Sequence, residues 1–350
     1  MMKKFFHYTI FFINSFALFG ILFSLISPFI NPNIFWPISF FGLFFPVFVI
    51  TLFVFSIFWF FYNKKYMWIN IIFLLISTPY LSRFVSINSS DDSNGEEINI
   101  MSYNVRLFNK GIDTDLNIDN VDKKIMSFVD DEEVDILCIQ EYYNTHIDLN
   151  SNFKYSTIDF EGSKENLHMV IYSNYEIIKD TINRGMEDIN NTCIFSDIII
   201  KTDTIRVYNI HLASNFFSSD DLEFINSPEL KQEKIKSGFF GVTKRLKKSF
   251  ESRGKEVQII KRHIDNSPYP TIICGDFNDT PVSYAYQNLG GKKLDGFLES
   301  GNGFGATFTK IPFLRIDYIL YDKQFSSSNF ITHQEVLSDH RAVSCKIKLD

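Results

Sequence analysis

Two apolar runs without a charged residue, 5–30 and 34–62, open the chain, and a third, 67–85, contains Arg83 alone. The first two exceed the roughly 20 residues that a helix needs to cross a bilayer. The third gains that length when Leu81 and Val85 extend it past Arg83, whose long side chain can snorkel to the interface. Pro37 and Pro46 predict a kink or a shortening of the second run. Residues 1–85 therefore read as a helical transmembrane region of about three helices. A cleaved signal peptide is disfavoured: the first run is too long, no small-residue cleavage site follows, and further apolar runs come next. Segment 86–97, small and polar, reads as a flexible linker.

From residue 98 the period changes. Short β-branched runs predict strands at 98–103, 136–140, 168–172, 192–200, 204–210, 271–274, 316–321 and 342–348. Amphipathic stretches between them predict helices at 120–129, 229–236, 254–266 and 283–289. So many strands fit one α/β domain, 98–350, built as two packed sheets with helices outside, and large enough to bury a core without disulfides.

Charge divides the chain at the same place. The first 90 residues hold no Asp or Glu and only Lys3, Lys4, Lys64, Lys65 and Arg83; the remainder carries 29 Lys and Arg against 41 Asp and Glu, a formal −12. Lys3-Lys4 precede the first run and Lys64-Lys65 precede the third, while the link Asn31-Pro32-Asn33 is uncharged. The positive-inside bias then places the N-terminus and the second link in the cytoplasm, and three spans deliver 91–350 to the outer side of an integral, multi-pass protein. With only two spans, that domain would be cytoplasmic. Cys138, Cys193, Cys274 and Cys345 lie in apolar runs and read as small core residues, with no zinc-type spacing.

Five polar motifs each close an apolar run: Ser102-Tyr103-Asn104-Val105, Ile139-Gln140-Glu141, Asn209-Ile210-His211-Leu212, Gly275-Asp276-Phe277-Asn278 and Ser338-Asp339-His340. Strand ends on one side of a sheet are where metal ligands and acid–base groups converge. Asn, Glu, Asp and His are the residues that a hard divalent cation and a phosphate ester call for.

Together with MVIYSN, FGATFT and RIDYIL, these motifs give 98–350 a resemblance to the endonuclease/exonuclease/phosphatase superfamily, the DNase I-like fold. The resemblance implies a four-layer α/β sandwich and a metal-dependent phosphoric ester hydrolase. It implies Mg2+, or Mn2+ in its place, on Glu141 with Asn104 and Asp339. It implies that Asp276 orients or deprotonates the attacking water, that Asn278 holds a phosphate oxygen, and that Asp317 pairs with His340. From the residues alone, Glu141 could be a solvated strand end, Asn104 a turn residue, and Asp276–Asn278 an Asx turn. A carboxylate inside an apolar strand, as at Asp317, is costly to bury unless paired. His211 stands where some relatives carry Tyr, and Arg106 stands two after Asn104 where the exonuclease III-type branch is acidic. Both departures lean away from that branch. His7, His146, His168, His263 and His333 lack motif support and read as structural or surface residues.

Substrate class stays open between phospholipid or sphingolipid headgroups and nucleic acid. Residues 231–262 hold eleven Lys and Arg against Glu233, Glu251 and Glu256, interleaved with Phe239, Phe240 and Phe250. Such a stretch suits anionic headgroups or a nucleic-acid backbone, and equally a solvated helix face. A bilayer tether raises the effective concentration of lipid substrates. The expected partners are a phosphoester substrate and, through the N-terminal helices, the lipid bilayer, with no protein partner. The competing reading is a membrane-tethered binding module of the same fold without turnover, which the complete set of polar motifs disfavours.

Overall fold

The computed structural model describes residues 2–88, 97–109, 118–143, 153–158, 168–181, 193–215, 232–311 and 313–349. They form two compact units. The first comprises Met1–Leu81, Ala213–Val257 and Val282–Asn288, and the second Ser82–Leu212, Gln258–Pro281 and Leu289–Asp350.

The first unit starts with helices α1 (Met2–Ile26), α2 (Pro32–Phe35), α3 (Pro37–Leu43), α4 (Phe45–Tyr62) and α5 (Lys64–Leu81). The apolar run 34–62 is divided because Pro37 and Pro46 each occupy the first turn of a new helix, where a missing N–H costs nothing. Buried Asn14 accepts hydrogen bonds from Trp59 Nε1 at 3.2 Å and Asn70 Nδ2 at 2.7 Å, which ties α1 to α4 and α5. Among the described residues, two stretches are long and apolar enough to cross a membrane, Tyr8–Phe29 and Phe45–Tyr62. Helix α5 falls short of that test, since Lys64, Lys65, Asn70 and Pro79 dilute it. The expected third helix also stops at Leu81, and Val85–Ile87 is instead a strand, β1. Of the expected linker, 89–96 lies outside the described residues.

Two six-stranded mixed sheets make up most of the second unit. One runs β13 (Phe325–Thr332), β14 (Val343–Leu349), β2 (Glu97–Asn104), β3 (Ile136–Tyr142), β5 (His168–Ser173), β4 (Tyr155–Ile158). The other runs β10 (Leu294–Asp295), β12 (Asp317–Tyr321), β9 (Thr271–Asp276), β8 (Asp203–His211), β7 (Cys193–Ile200), β6 (Glu176–Thr181). Strand β1 pairs separately with β11 (Asn302–Phe304). Ile100, Ile136 and Ile171 of one sheet join Ile194, Val207 and Ile272 of the other in a single core. Helix α6 (Val121–Asp131) lays Val121, Ile125 and Val129 on the outer face of the first sheet, among Met101, Leu137 and Ile139. The end of α7 (Gln232–Asp265) covers the second, with His263 Nδ1 2.9 Å from the Tyr208 hydroxyl. The expected four-layer α/β sandwich is present.

All eight expected strands occur, each end within two residues of its predicted position. The strands that hydrophobic patterning did not predict include all four edges of the two six-stranded sheets, β4, β6, β10 and β13. Edge strands are kept short or polar, which weakens their signal; β13 reads FSSSNFIT. The two helices expected at 229–236 and 254–266 are one helix, α7, in which Gly241 and Gly254 do not interrupt the chain of good helix formers Lys and Arg.

A polar bridge crosses the apolar core. Gln140 Nε2 on β3 donates to Asn209 Oδ1 on β8 at 2.7 Å, and Asn209 Nδ2 donates to the carbonyls of Ile139 (2.8 Å) and Val170 (2.9 Å). Both side chains are fully buried. Replacing Asn209 with Leu removes these three bonds, leaving Gln140 Nε2 only Ser102 Oγ and the Cys138 carbonyl, and a buried polar group that loses its partner costs on the order of 1–3 kcal/mol. The Asn209→Leu chain should therefore unfold at a clearly lower urea concentration than Asn209→Asp or wild type at low pH, where the acid can still donate; equal midpoints for Leu and wild type would contradict the bridge.

Candidate active site

The two sheets each contain one central parallel pair, β2–β3 and β8–β9, and the ends of the two pairs meet where Asn104 Nδ2 reaches Asp276 Oδ2. Asn104 aligns with Gln140, one residue before Glu141; His211 aligns with Asp276, and Asp276 with Asp317 across the antiparallel neighbour β12. All eight expected site residues belong to the second unit.

Local backbone geometry aims them. Pairing of β3 with β5 shifts register between Ile139 and Tyr142, and Glu141 within this bulge takes φ 51°. Bulges re-aim a side chain at the price of strain. Gly275 has φ +142°, and a Cβ there would lie 1.9 Å from the carbonyl oxygen of Ile210, so only glycine lets β8 and β9 close at this point. Asn278, also left-handed at φ 51°, donates its amide to Asp276 Oδ1 at 2.7 Å, the expected Asx turn.

Seven of the eight residues connect directly. Asn104 Nδ2 lies 3.2 Å from Glu141 Oε1 and 3.1 Å from Asp276 Oδ2, joining the two sheets at the site. Asn278 Nδ2 donates to the same Asp276 oxygen at 3.1 Å and to the carbonyl of Leu212 at 3.0 Å. His211 Nε2 stands 3.5 Å from Glu141 Oε1 and 3.8 Å from Asp276 Oδ2. His340 Nε2 is 3.7 Å from Asp276 Oδ2, and its Nδ1 is 3.1 Å from Asp317 Oδ2. Thr307 Oγ1 accepts the amides of Ile316 and Asp317, and the Phe308 ring packs edge-on against His340. These two residues belong to the motif FGATFT.

Asp339 is the exception. Its carboxylate pairs with Arg106 Nε at 3.2 Å, and the Arg106 amide donates to Asn104 Oδ1 at 3.0 Å. The Asn104 amide thus turns its NH2 to the carboxylates and its oxygen to the backbone; ligation of a cation through Oδ1 requires that amide to rotate. Arg106 is the residue whose role sequence reasoning missed, having registered only as a departure. It opens a run of four left-handed residues, Arg106–Asn109, with φ between 47° and 56°. Nothing in the local sequence signals this turn, because none of the four is glycine.

Burial pushes the Asp276 carboxyl up, and Asp317 adds to the effect; His340 and His211 oppose it, leaving a pKa of about 6. Burial disfavours charge on His340, but Asp317, Asp276 and Asp339 outweigh it and raise the ring to about 10. The proton therefore resides on the imidazole, held toward Asp317. Asp276, Asp317 and His340 also offer ligand atoms within 4.8 Å of one another. A cationic ring would repel a metal ion, so the Asp317–His340 contact is better read as a hydrogen-bonded dyad. The edge formed by Glu141 and Asp276 suits a hard cation, because two carboxylates converge there through Asn104.

The sequence model of the Endonuclease/Exonuclease/phosphatase family matches residues 101–340, and the chain belongs to that family. It is a metal-dependent phosphoester hydrolase by class. Residues 3–84 match a second family, described as Domain of unknown function (DUF8431). No curated protein matches the sequence. A functionally unknown conserved protein from Enterococcus faecalis V583 shares 16% identity, over 72% of this chain and 100% of its own, at a TM-score of 0.50. The catalytic domain of human Nocturnin with bound sulfate has 17% identity, 73% and 95% coverage, and a TM-score of 0.49. An endonuclease/exonuclease/phosphatase family protein from Bacteroides thetaiotaomicron has 15%, 74%, 100% and 0.47. The first of these likenesses shows the common fold.

The dyad yields a direct test. A raised folded-state pKa means that the protonated ring stabilises the folded chain fully below its ordinary 6.5 and that this contribution disappears as pH rises toward 10. In chelator-treated protein the His340 ring should titrate near pH 10 by NMR, and Asp317→Asn should bring it down by several units. A ring that already titrates near 6.5 in the wild type would exclude the buried pair.

Proposed function

We propose that this protein is a membrane-anchored, Mg2+-dependent phosphoesterase that opens a phosphodiester, or a phosphomonoester, by in-line attack of water. The observation that carries the reading is the meeting of Glu141 and Asp276 through Asn104 Nδ2, with His211 and His340 both directed at Asp276.

Glu141 would anchor Mg2+, or Mn2+ in its place, with Asn104 and Asp339 as the further residues that would hold it. Bound there, the ion would supply Lewis-acid charge to a phosphoryl oxygen and to the leaving oxygen. Asp276, buried and held by Asn278 and Asn104, aims the attacking water and receives its proton. His340, kept cationic by Asp317, donates to charge developing on the phosphoryl group. His211 offers a second donor from the neighbouring strand end, and Asn278 orients Asp276 as well as a phosphate oxygen.

The stretches Tyr8–Phe29 and Phe45–Tyr62 support an integral anchor. Three spans, with α5 as the third, place the catalytic part outside the cytoplasm by the positive-inside bias. A phosphatase fused at Asp350 should then be active only outside; activity confined to the cytoplasm would overturn the three-span topology.

The catalytic test uses the full chain in detergent with Mg2+, assayed on p-nitrophenyl phosphodiesters and monoesters, DNA of one and two strands, and phospholipid vesicles. Turnover should vanish with chelator and fall about 10²- to 10⁴-fold in Asp276→Asn and in His340→Ala, the usual range for removing an acid–base group. Folded variants that keep wild-type turnover would mean that these side chains do not perform the chemistry. The preferred substrate separates lipid from nucleic-acid hydrolysis.

A further inference from the structure

Within the first unit, α7 carries two faces between residues 240 and 257. Leu246, Phe250, Arg253 and Val257 are buried on one, at helical spacing. The other is a stripe of Phe240, Lys244, Lys247, Lys248, Glu251 and Lys255, in which Phe240 is 70% exposed and all four lysines are exposed. At 100° per residue these six positions fall in an arc of about 100°. Four lysines against one glutamate leave it strongly cationic.

The place of this helix in the unit is well fixed. Phe250 packs edge-on against Phe40 with ring centroids 5.4 Å apart, and Lys247 Nζ lies 5.6 Å from the centre of the Trp36 ring. A Cβ on Gly254 would meet Asn33 Nδ2 at 2.5 Å and Asn31 Oδ1 at 2.8 Å. Segment 282–288 adds to the same place, with Ser27 Oγ donating to the Val282 carbonyl at 2.9 Å. All these partners lie in the connection between α1 and α4. That connection is one end of the apolar helices, because Tyr80 near the end of α5 reaches the Leu25 carbonyl there, whereas Phe11 meets Tyr66, beside Lys64 and Lys65, at the other. Helix α4 has 18 residues, a rise of about 27 Å, close to the roughly 30 Å of a bilayer core.

We propose that the stripe Phe240–Lys255 of α7 binds the anionic phospholipid headgroups of the bilayer that α1 and α4 cross. The inference rests on the membrane reading given above. An amphipathic segment pinned at the end of a spanning helix lies at headgroup depth, where lysines can pair with anionic headgroups and an exposed Phe and Trp36 suit the interface.

The test uses the full chain in nanodiscs of phosphatidylcholine alone or mixed with phosphatidylglycerol. All four native cysteines are buried, so a single fluorophore can be placed on Lys255→Cys and, in a separate chain, on Phe53→Cys in α4. Lipids carrying a headgroup quencher should quench the first probe about twofold more with phosphatidylglycerol present. The excess should disappear in Lys244→Glu/Lys247→Glu/Lys248→Glu and at a high salt that shortens the Debye length to about 3 Å. Acyl-chain quenchers should reach the second probe in every disc. Quenching of the first probe that ignores both phosphatidylglycerol and charge reversal, while the second stays in the bilayer, would overturn the headgroup site. A fluorescent oligonucleotide that binds wild type but not the triple variant, without any phosphatidylglycerol response, would overturn it in favour of nucleic acid. A second probe untouched by acyl-chain quenchers would instead remove the spanning reading.

Discussion

Everything at the candidate site depends on holding two independent sheets in one mutual register. Apolar packing alone fixes such a register loosely, because isoleucine and valine side chains can interdigitate in several offsets. Hydrogen bonds in a dry core cannot, since each lost partner carries its full desolvation cost. Asn209 and Gln140 supply that constraint from fully buried positions, two residues before His211 and one before Glu141. Asn104 Nδ2 repeats the link one layer closer to solvent, where it touches a carboxylate from each sheet. The five strand-end motifs are therefore a single constellation because a polar ladder continues downward into the core.

The site itself is an electrostatic compromise. Asp276 and Asp317 are 1% exposed and lie on adjacent strands. Burial resists ionisation of Asp276, and repulsion from Asp317 adds to the effect. Protonated His340 between them makes the arrangement tolerable, and its own charge is retained because they, with Asp339, outweigh its burial. Arg106 pairs with Asp339 at 3.2 Å. The left-handed backbone at Arg106–Asn109 and at Glu141 costs free energy that ordinary loops avoid. Strain of this kind is tolerated where side chains must reach one point from different strands. The Glu141 and Asn278 backbones meet that need at the carboxylate edge, and Arg106 meets it beside Asp339.

Asn104, Glu141, His211 and Asp276 were readable as candidates because each lies at or next to the end of an apolar strand, a position where polar side chains are otherwise conspicuous, whereas Asp339 and His340 stand ahead of β14 rather than at a strand end. Asp317 was legible for a complementary reason, as a carboxylate inside the apolar run 316–321. Arg106 was not legible, since its pairing with Asp339 spans 233 positions and follows from a backbone turn with no glycine to announce it. Edge strands such as β13 were hidden by their own solubility. The continuity of α7 was hidden by Gly241 and Gly254, which look like breaks until Gly254 is seen against Asn31 and Asn33, where a Cβ would not fit. The orientation of the Asn104 amide follows from hydrogen bonding and could not be read from its motif at all.

That contact at Gly254 also changes how the chain should be divided. Composition separates a basic, apolar beginning from an acidic remainder near residue 90, which suggests an anchor that could be removed. Yet 213–257 and 282–288 cluster with the first 81 residues, and the contacts are intimate: a Cβ on Gly42 would lie 2.2 Å from the Val282 carbonyl oxygen. Phe250 is 1% exposed with Phe40 against it. A fragment starting after the apolar helices would uncover the Phe250 side of α7 and leave the Val282 carbonyl without Ser27. The N-terminal helices are thus part of the folded core around α7 as well as the segment that composition marks for the bilayer.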